Sequence, residues 1–210
     1  IRAMKYRVVN VNPELLANES GNNMTRLIRT NDRPNIHIAV RAMQHPANSF
    51  ADLKFLIPDD VNEHKPPPKF VIFTDNCVEA EDICKYLHTI LPISLRSRIK
   101  WFHSRLSGEY RAEISSEFKK GTCIWGLVAT DAYGMGVDQS GIEIVVQWKV
   151  AHLTLQTALQ RAGRAARGLN EQGYFILIVE KKFFDDEREK TERAKTLRRE
   201  RDQARKRRRE

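Results

Sequence analysis

The chain has 210 residues, of which 41% are hydrophobic and 30% charged, with a formal net charge of +9. That is long enough for one domain with a real core, and no run of about 18 apolar residues suited to a membrane span occurs in it. The positive balance points to a polyanionic partner, while three cysteines without C-x-x-C spacing and six histidines without His-x-x-x-His pairs exclude a disulfide framework and suggest no metal site.

In chain order, residues 6–11 form a short β-rich run ending at Asn12-Pro13, and residues 18–32 are a polar stretch that reads as a loop or a weak helix. Arg33-Pro34-Asn35-Ile36 opens a strand through Val40. Residues 49–57 predict a short amphipathic helix with Phe50, Leu53, Phe55, Leu56 and Ile57 as its apolar set. Residues 58–68 are an acidic, proline-rich loop, unsuited to a helix or a central strand.

The strands that follow are more sharply marked. Phe70, Val71, Ile72 and Phe73 make a continuous apolar run within residues 69–74, ending in Thr74-Asp75-Asn76. A helix over 77–91 follows, with Val78, Ile83, Leu87, Ile90 and Leu91 expected to face inward. Residues 99–103 give a third strand, and Ser107 is an N-cap for a helix to Lys119. Leu127, Val128 and Ala129 form a buried strand that delivers Thr130 at its carboxyl end, before a turn carrying Gly134 and Gly136. Two more strands fall at 142–148 and 173–179. Strands alternating with helices predict an α/β fold, a doubly wound parallel sheet with flanking helices, which binds ligands at the carboxyl ends of its strands.

Residues 160–168 read Q-R-A-G-R-A-A-R-G. Gln160, Arg164 and Arg167, spaced i, i+4, i+7, would share one helical face, with Gly163 allowing close approach and Gly168 ending the helix. Two guanidinium forks without a carboxylate suit phosphate oxygens; a solvated basic face is the plainer reading. Arg161, one residue off that face, is expected to tolerate alanine better. Beyond Lys181 the apolar period fades into a charged helix or tail. Residues 181–210 hold fourteen Lys and Arg against eight Asp and Glu, six of the nine net positive charges. The terminal basic cluster suits nucleic-acid contact, a nuclear address or a solvated tail.

Two stretches together are specific. A-T-D-A-Y-G-M-G-V-D, residues 129–138, followed by Q-R-A-G-R-A-A-R-G, resembles motifs V and VI of superfamily 2 helicases, and the Gly-Met-Gly-Val-Asp form is most similar to the RecQ branch. The resemblance covers about residues 33–180 and implies a RecA-like second motor domain of an ATP-dependent DNA helicase. Residues 1–32 would then be a remnant of the first motor domain or a linker. Residues 181–210 would be a basic charged helix or tail. Arg164 and Arg167 would be arginine fingers facing the ATP γ-phosphate, with Gln160 joining nucleotide to motor. Gly134, Gly136 and Asp138 would lie on the nucleotide side. Thr130 would touch the DNA backbone, as would Thr74 and Asn76 in a stretch that looks like motif IV. F-H-S-R-L-S-G-E-Y-R resembles the segment between motifs IV and V, with His103 and Ser104 on the nucleic-acid side. Arg105 adds a phosphate contact where the family often has a small residue. Y-R-V-V-N-V-N-P-E-L-L resembles the strand and Pro-Glu of a DNA-contacting motif in the first motor domain, about as well as it fits an ordinary strand and turn.

The implied partners are DNA, ATP with Mg²⁺, and a first motor domain that would hold most of the nucleotide; no membrane is implied. The chain contains no G-x-x-x-x-G-K-[ST], no D-E-x-H or D-E-x-D, and no cysteine after Cys123 for the zinc module common in RecQ-type enzymes. These residues alone are therefore expected not to hydrolyse ATP. The sparse thiols fit an intracellular protein. The start at Ile1 and the incomplete motor suggest a fragment, with a non-enzymatic nucleic-acid-binding module as the alternative. A dinucleotide-binding protein using Gly134 and Gly136 is disfavoured, because no acidic residue follows about 20 positions on at a strand end.

Overall fold

Strand β2, Phe70–Phe73, is apolar at every position because both of its faces are covered. Phe70 and Ile72 point into one core with Leu53, Leu56, Ile83 and Leu87; Val71 and Phe73 point into the other with Phe102, Phe118 and Tyr133. This computed structural model describes residues 33–121, 123–133, 140–168 and 171–207. Gly134, Gly136, Asp138 and everything before Arg33 lie outside the described residues.

The remaining strands are β1 (Ile36–Ala42), β3 (Ile99–Phe102), β4 (Gly126–Ala129), β5 (Ile144–Trp148) and β6 (Gly173–Val179). All pairings are parallel, in the order β1-β6-β5-β2-β4-β3. Helix α1 (Cys77–Ile90) packs on the first face. Helices α2 (Gly108–Lys120) and α3 (Leu155–Ala162) pack on the second. This is the doubly wound parallel architecture that the β-α pattern predicts, and it agrees with the RecA-like fold that the resemblance implies. Neighbouring strands β2 and β5 send their following helices to opposite faces. Their carboxyl ends therefore diverge into a crevice, the position where open parallel sheets bind ligands.

Side-chain caps open the first three helices, Ser107 as expected. Asn76 accepts from the Val78 amide at 2.8 Å, Ser107 from the Tyr110 amide at 3.2 Å and Thr154 from the Thr157 amide at 3.1 Å. Helix α1 buries Ala80, Ile83, Cys84 and Leu87, while Val78, expected inside, stands 52% exposed. Burial pushes the Cys84 thiol up to about 12. Residues 49–57 do not make an α-helix. They form 3₁₀ turns at Ala47–Ser49 and Ala51–Leu56, broken at Phe50, whose φ is 55°. That turn lets the Phe50 ring pack against Trp148 and Tyr86, and tertiary packing outweighs the local helical period.

After β6 the chain runs into α4, Asp185–Arg207. Its ion pairs, such as Lys190 with Glu187 and Arg193 with Glu189, are exposed i, i+3 and i, i+4 contacts. Among the described residues, no helix is long and apolar enough to cross a membrane.

Gly126 sets a close approach in β4: an added Cβ would overlap the buried Phe70 ring. Gly126→Ala should therefore cost about 1–3 kcal/mol in urea denaturation through overpacking. Gly108, at the first turn of α2 with nothing within 4 Å of an added Cβ, is the control. Gly108→Ala should be neutral or stabilising by up to about 1 kcal/mol.

Candidate functional site

The crevice at the carboxyl ends of β2 and β5 is organised by Arg161, which is 3% exposed. Its Nε and Nη2 donate to Asp131 Oδ1 at 3.0 and 2.6 Å, and Nη2 also donates to Asp75 Oδ1 at 2.9 Å. Nη1 donates to Gln147 Oε1, and the guanidinium stacks 5.2 Å from the Phe73 ring centroid. Gln147 is fully buried; its Nε2 donates to the Lys149 carbonyl at 2.8 Å. One buried cation thus ties β2, β4, β5 and α3 together at the end of the sheet.

Around this node lie two adjoining clefts. One, of about 520 Å³, is lined by Asp75, Ser104, Thr130, Asp131 and His152, with Arg161 at its wall. The other, of about 580 Å³, is lined by Asn76, Glu79, Arg105, Lys149 and His152. Asn76, Ser104, Arg105 and Thr130 are therefore gathered in one strand-end groove. Asn76, Ser104 and Arg105 are exposed and Thr130 is half-buried, so all four are accessible from the groove. Among the described residues, no group of three His, Cys, Asp or Glu could hold a metal ion.

Thr74 and His103 are placed differently from expectation. Thr74 is fully buried, and its hydroxyl donates to Glu79 on α1. His103 is 2% exposed, with Nε2 3.1 Å from Glu81 Oε1. Each side chain binds a strand end to α1 and is withdrawn from the groove. The hydrophobic packing that fixes α1 on β2 and β3 covers both.

The arginines also depart from the predicted geometry. Helix α3 ends at Ala162, so Arg164 and Arg167 do not share a helical face with Gln160, which stays exposed in the last turn. Beyond Gly163 the backbone tightens, with the Arg164 amide donating to the Arg161 carbonyl and the Ala165 amide to the Ala162 carbonyl. It then turns at Ala166, where φ is 50°. Tertiary bonds replace the helical ones. The Ala166 amide donates to the Ile142 carbonyl at 2.9 Å. Arg33 Nη2 and Asn35 Nδ2 donate to the Ala166 carbonyl at 2.7 and 3.0 Å. Glu171 Oε2 accepts from the Gly168 amide at 2.8 Å. The Arg164 and Arg167 guanidiniums both act on Tyr133. Burial pushes the Tyr133 phenol well above its ordinary range, and the fields of both guanidiniums pull it part of the way back. Tyr133 closes the short 3₁₀ turn Asp131–Tyr133 that follows β4.

Arg161, expected to tolerate alanine, is the most enclosed charged residue of the group. The signal was in the sequence. Ala158, Arg161, Ala162 and Ala165 recur with helical period, and that small-residue stripe faces the core. Gln147, a lone polar residue within an apolar strand, marks its buried partner. Arg161→Ala should lower stability by about 2–4 kcal/mol in chemical denaturation, because it strands Gln147 and separates three elements. Arg161→Lys should recover little of it, since one ammonium cannot reach three divergent acceptors.

Residues 49–168 match the family described as the helicase conserved C-terminal domain. Curated relatives include the ATP-dependent RNA helicase rok1 of Neurospora crassa, 28% identical over 74% of this chain, and that of Aspergillus niger, 33% identical over 69%. The chain spans about a fifth of those relatives' length, 19% and 18%. Among solved structures it is similar to domain 2 of the DEAD-box helicase Mss116p bound to an RNA duplex, with TM-score 0.57 and 24% identity over 70% of this chain and 55% of that one. It is also similar to the Mycobacterium smegmatis helicase Lhr bound to ssDNA and AMP-PNP, with TM-score 0.53 and 22% identity over 69% of this chain and 19% of that one. The motif form resembles the RecQ branch, yet these curated relatives are RNA helicases. With its six-stranded parallel sheet and its match over residues 49–168, the chain belongs to the helicase C-terminal domain family of superfamily 2.

Proposed function

We propose that the chain is the second motor domain of an ATP-dependent RNA helicase. In this reading the groove holds the nucleic-acid backbone through Asn76, Ser104, Arg105 and Thr130. Arg164 and Arg167 reach toward ATP held by a first motor domain, which also supplies the seat for Mg²⁺. The observation that carries the reading is Arg161, whose guanidinium binds Asp75 at the groove and Asp131 at the start of the segment that resembles motif V. It gives nucleic-acid and nucleotide sides one shared rigid part. Arginine delivered from a second domain stabilises the charge that develops on a transferred phosphoryl group. The RNA assignment rests on the curated relatives. A DNA substrate is the second reading, favoured by the Gly134-Met135-Gly136-Val137-Asp138 form.

The test uses a protein that joins this chain to a first motor domain, with ATP turnover measured alongside single-stranded RNA or DNA of matched length. RNA should stimulate hydrolysis more than DNA; the reverse order restores the DNA reading. Arg167→Ala should lower kcat by at least about a hundredfold, a bound set beneath the roughly 10³ to 10⁵ that arginine fingers contribute, while the ATP dissociation constant changes much less. Arg167→Lys should not rescue turnover, because an ammonium lacks the planar fork. An equal loss in binding and turnover would remove the finger assignment. The 210 residues alone should show no ATPase, with or without nucleic acid.

A second expectation concerns the charged C-terminal segment, which carries six of the nine net positive charges. Ending the chain at Glu180 should weaken nucleic-acid binding and flatten its salt dependence, by roughly 0.7 for every phosphate of a single strand that the segment neutralises. Unchanged affinity and slope would assign the binding to the folded domain alone.

A further inference from the structure

One cation of the groove has no part in the function just proposed. Lys149 follows β5 in the left-handed region, with φ at 62°, an uncommon conformation for a residue with a Cβ. It is held there from both sides. Its amide donates to the Ile178 carbonyl at 3.0 Å and its carbonyl accepts from Gln147 Nε2 at 2.8 Å. Because Gln147 is bonded to Arg161, the turn is fixed by the same buried node. The left-handed turn brings the Lys149 side chain into the cleft that Asn76, Glu79 and Arg105 line.

There its ammonium pairs with Glu79, whose other carboxylate oxygen accepts from the buried Thr74 hydroxyl. The side chain of Lys149 is 35% exposed and that of Glu79 is 16% exposed. The cation thus lies on the groove side of its partner and the carboxylate beneath it. Asp75, the other acid of this cleft, is already bonded to Arg161. Arg105 makes no ion pair among the described residues. A strand-end groove with one unpaired cation, a second cation over an internal carboxylate and an accessible Asn76 amide suits a run of backbone phosphates.

We propose that Lys149 is a contact for a nucleic-acid backbone phosphate and that Glu79 is its built-in competitor, holding the ammonium in place until a phosphate displaces it. This rests on the nucleic-acid reading of the groove. Glu79 would then tune affinity, because each binding event gives up the internal pair.

The experiment is fluorescence anisotropy of a labelled single-stranded oligouridylate with the full 210-residue chain across an ionic-strength series. Lys149→Gln should weaken binding and flatten the plot of log affinity against log salt by about 0.7, the share of one phosphate on a single strand. Lys149→Gly, which suits the left-handed backbone and keeps the fold, should flatten it equally. Glu79→Gln should tighten binding about two- to fivefold, the range of a partly exposed ion pair, without flattening the slope. The double variant should bind no better than Lys149→Gln alone. Inorganic phosphate at constant ionic strength should not displace the oligonucleotide; displacement would assign the cleft to a free phosphate and overturn the proposal. Unchanged slope and affinity in both Lys149 variants would also overturn it. If Arg105→Gln then still weakened binding, the groove reading would stand without Lys149. If Arg105→Gln and Thr130→Val were silent as well, the groove reading itself would fall.

Discussion

The arrangement depends on placing one guanidinium, that of Arg161, in a nearly closed site at the end of a parallel sheet. Removing such a charge from water costs several kcal/mol. Four charge-assisted bonds, from three nitrogens to Asp75, Asp131 and Gln147, together with the Phe73 ring face, offset that cost. The net gain over an apolar side chain of similar size is small, since buried ion pairs roughly break even against packed hydrophobes. What the arginine supplies instead is direction. Its planar fork fixes the strand ends of β2 and β5 and the turn after β4 in one mutual geometry. An apolar residue would fill the space without specifying it.

The topology explains why the node sits where it does. The strand order places β2 beside β5, and their helices leave toward opposite faces. Backbone groups that the ladder leaves at those two carboxyl ends must be satisfied or bridged by side chains. Gln147 does so directly, donating to the carbonyls of Trp148 and Lys149. Arg161 then fills the remaining acceptor of Gln147. The polar groups at this crevice are thus a consequence of parallel-sheet geometry before they are anything functional. The groove is the residue of that construction, open wherever the bridging side chains stop.

The sheet was largely legible in the sequence. Runs such as Phe70 to Phe73 are apolar at every position because both faces are buried, and the cap at Ser107 marks a helix start. Local pattern failed where tertiary contacts override it. Phe50 breaks a plausible helix to reach Trp148. Gly163 and Ala166 end α3 early because the backbone finds better partners in Ile142, Arg33 and Asn35 than in its own next turn. Thr74 and His103 lie at strand ends, as the pattern indicates, but α1 lies over them. Sequence period reports that a residue ends a strand; it does not report what packs across that end. The Lys149–Glu79 pair was invisible for the same reason, since 70 residues separate its members.

The early end of α3 changes what the arginine spacing means. On a regular helix, Arg164 and Arg167 would be long side chains on a surface, each losing rotamer freedom whenever it met a phosphate. Here they stand on a loop whose backbone is bonded at Ala165, Ala166 and Gly168 to three other segments of the chain. Arg167 is constrained further, its Nε donating to the Gly163 carbonyl at 2.9 Å. The ordering cost is met during folding. A charge-stabilising group is most effective when it needs no reorganisation at the moment charge develops. The small residues between the arginines follow from this constraint. Ala165 and Ala166 are buried against Gly173, where an added Cβ would stand 2.9 to 3.0 Å from theirs. Alanine and glycine at these positions let the loop close onto β6, and that closure, rather than a helical face, fixes the backbone that carries the two guanidiniums.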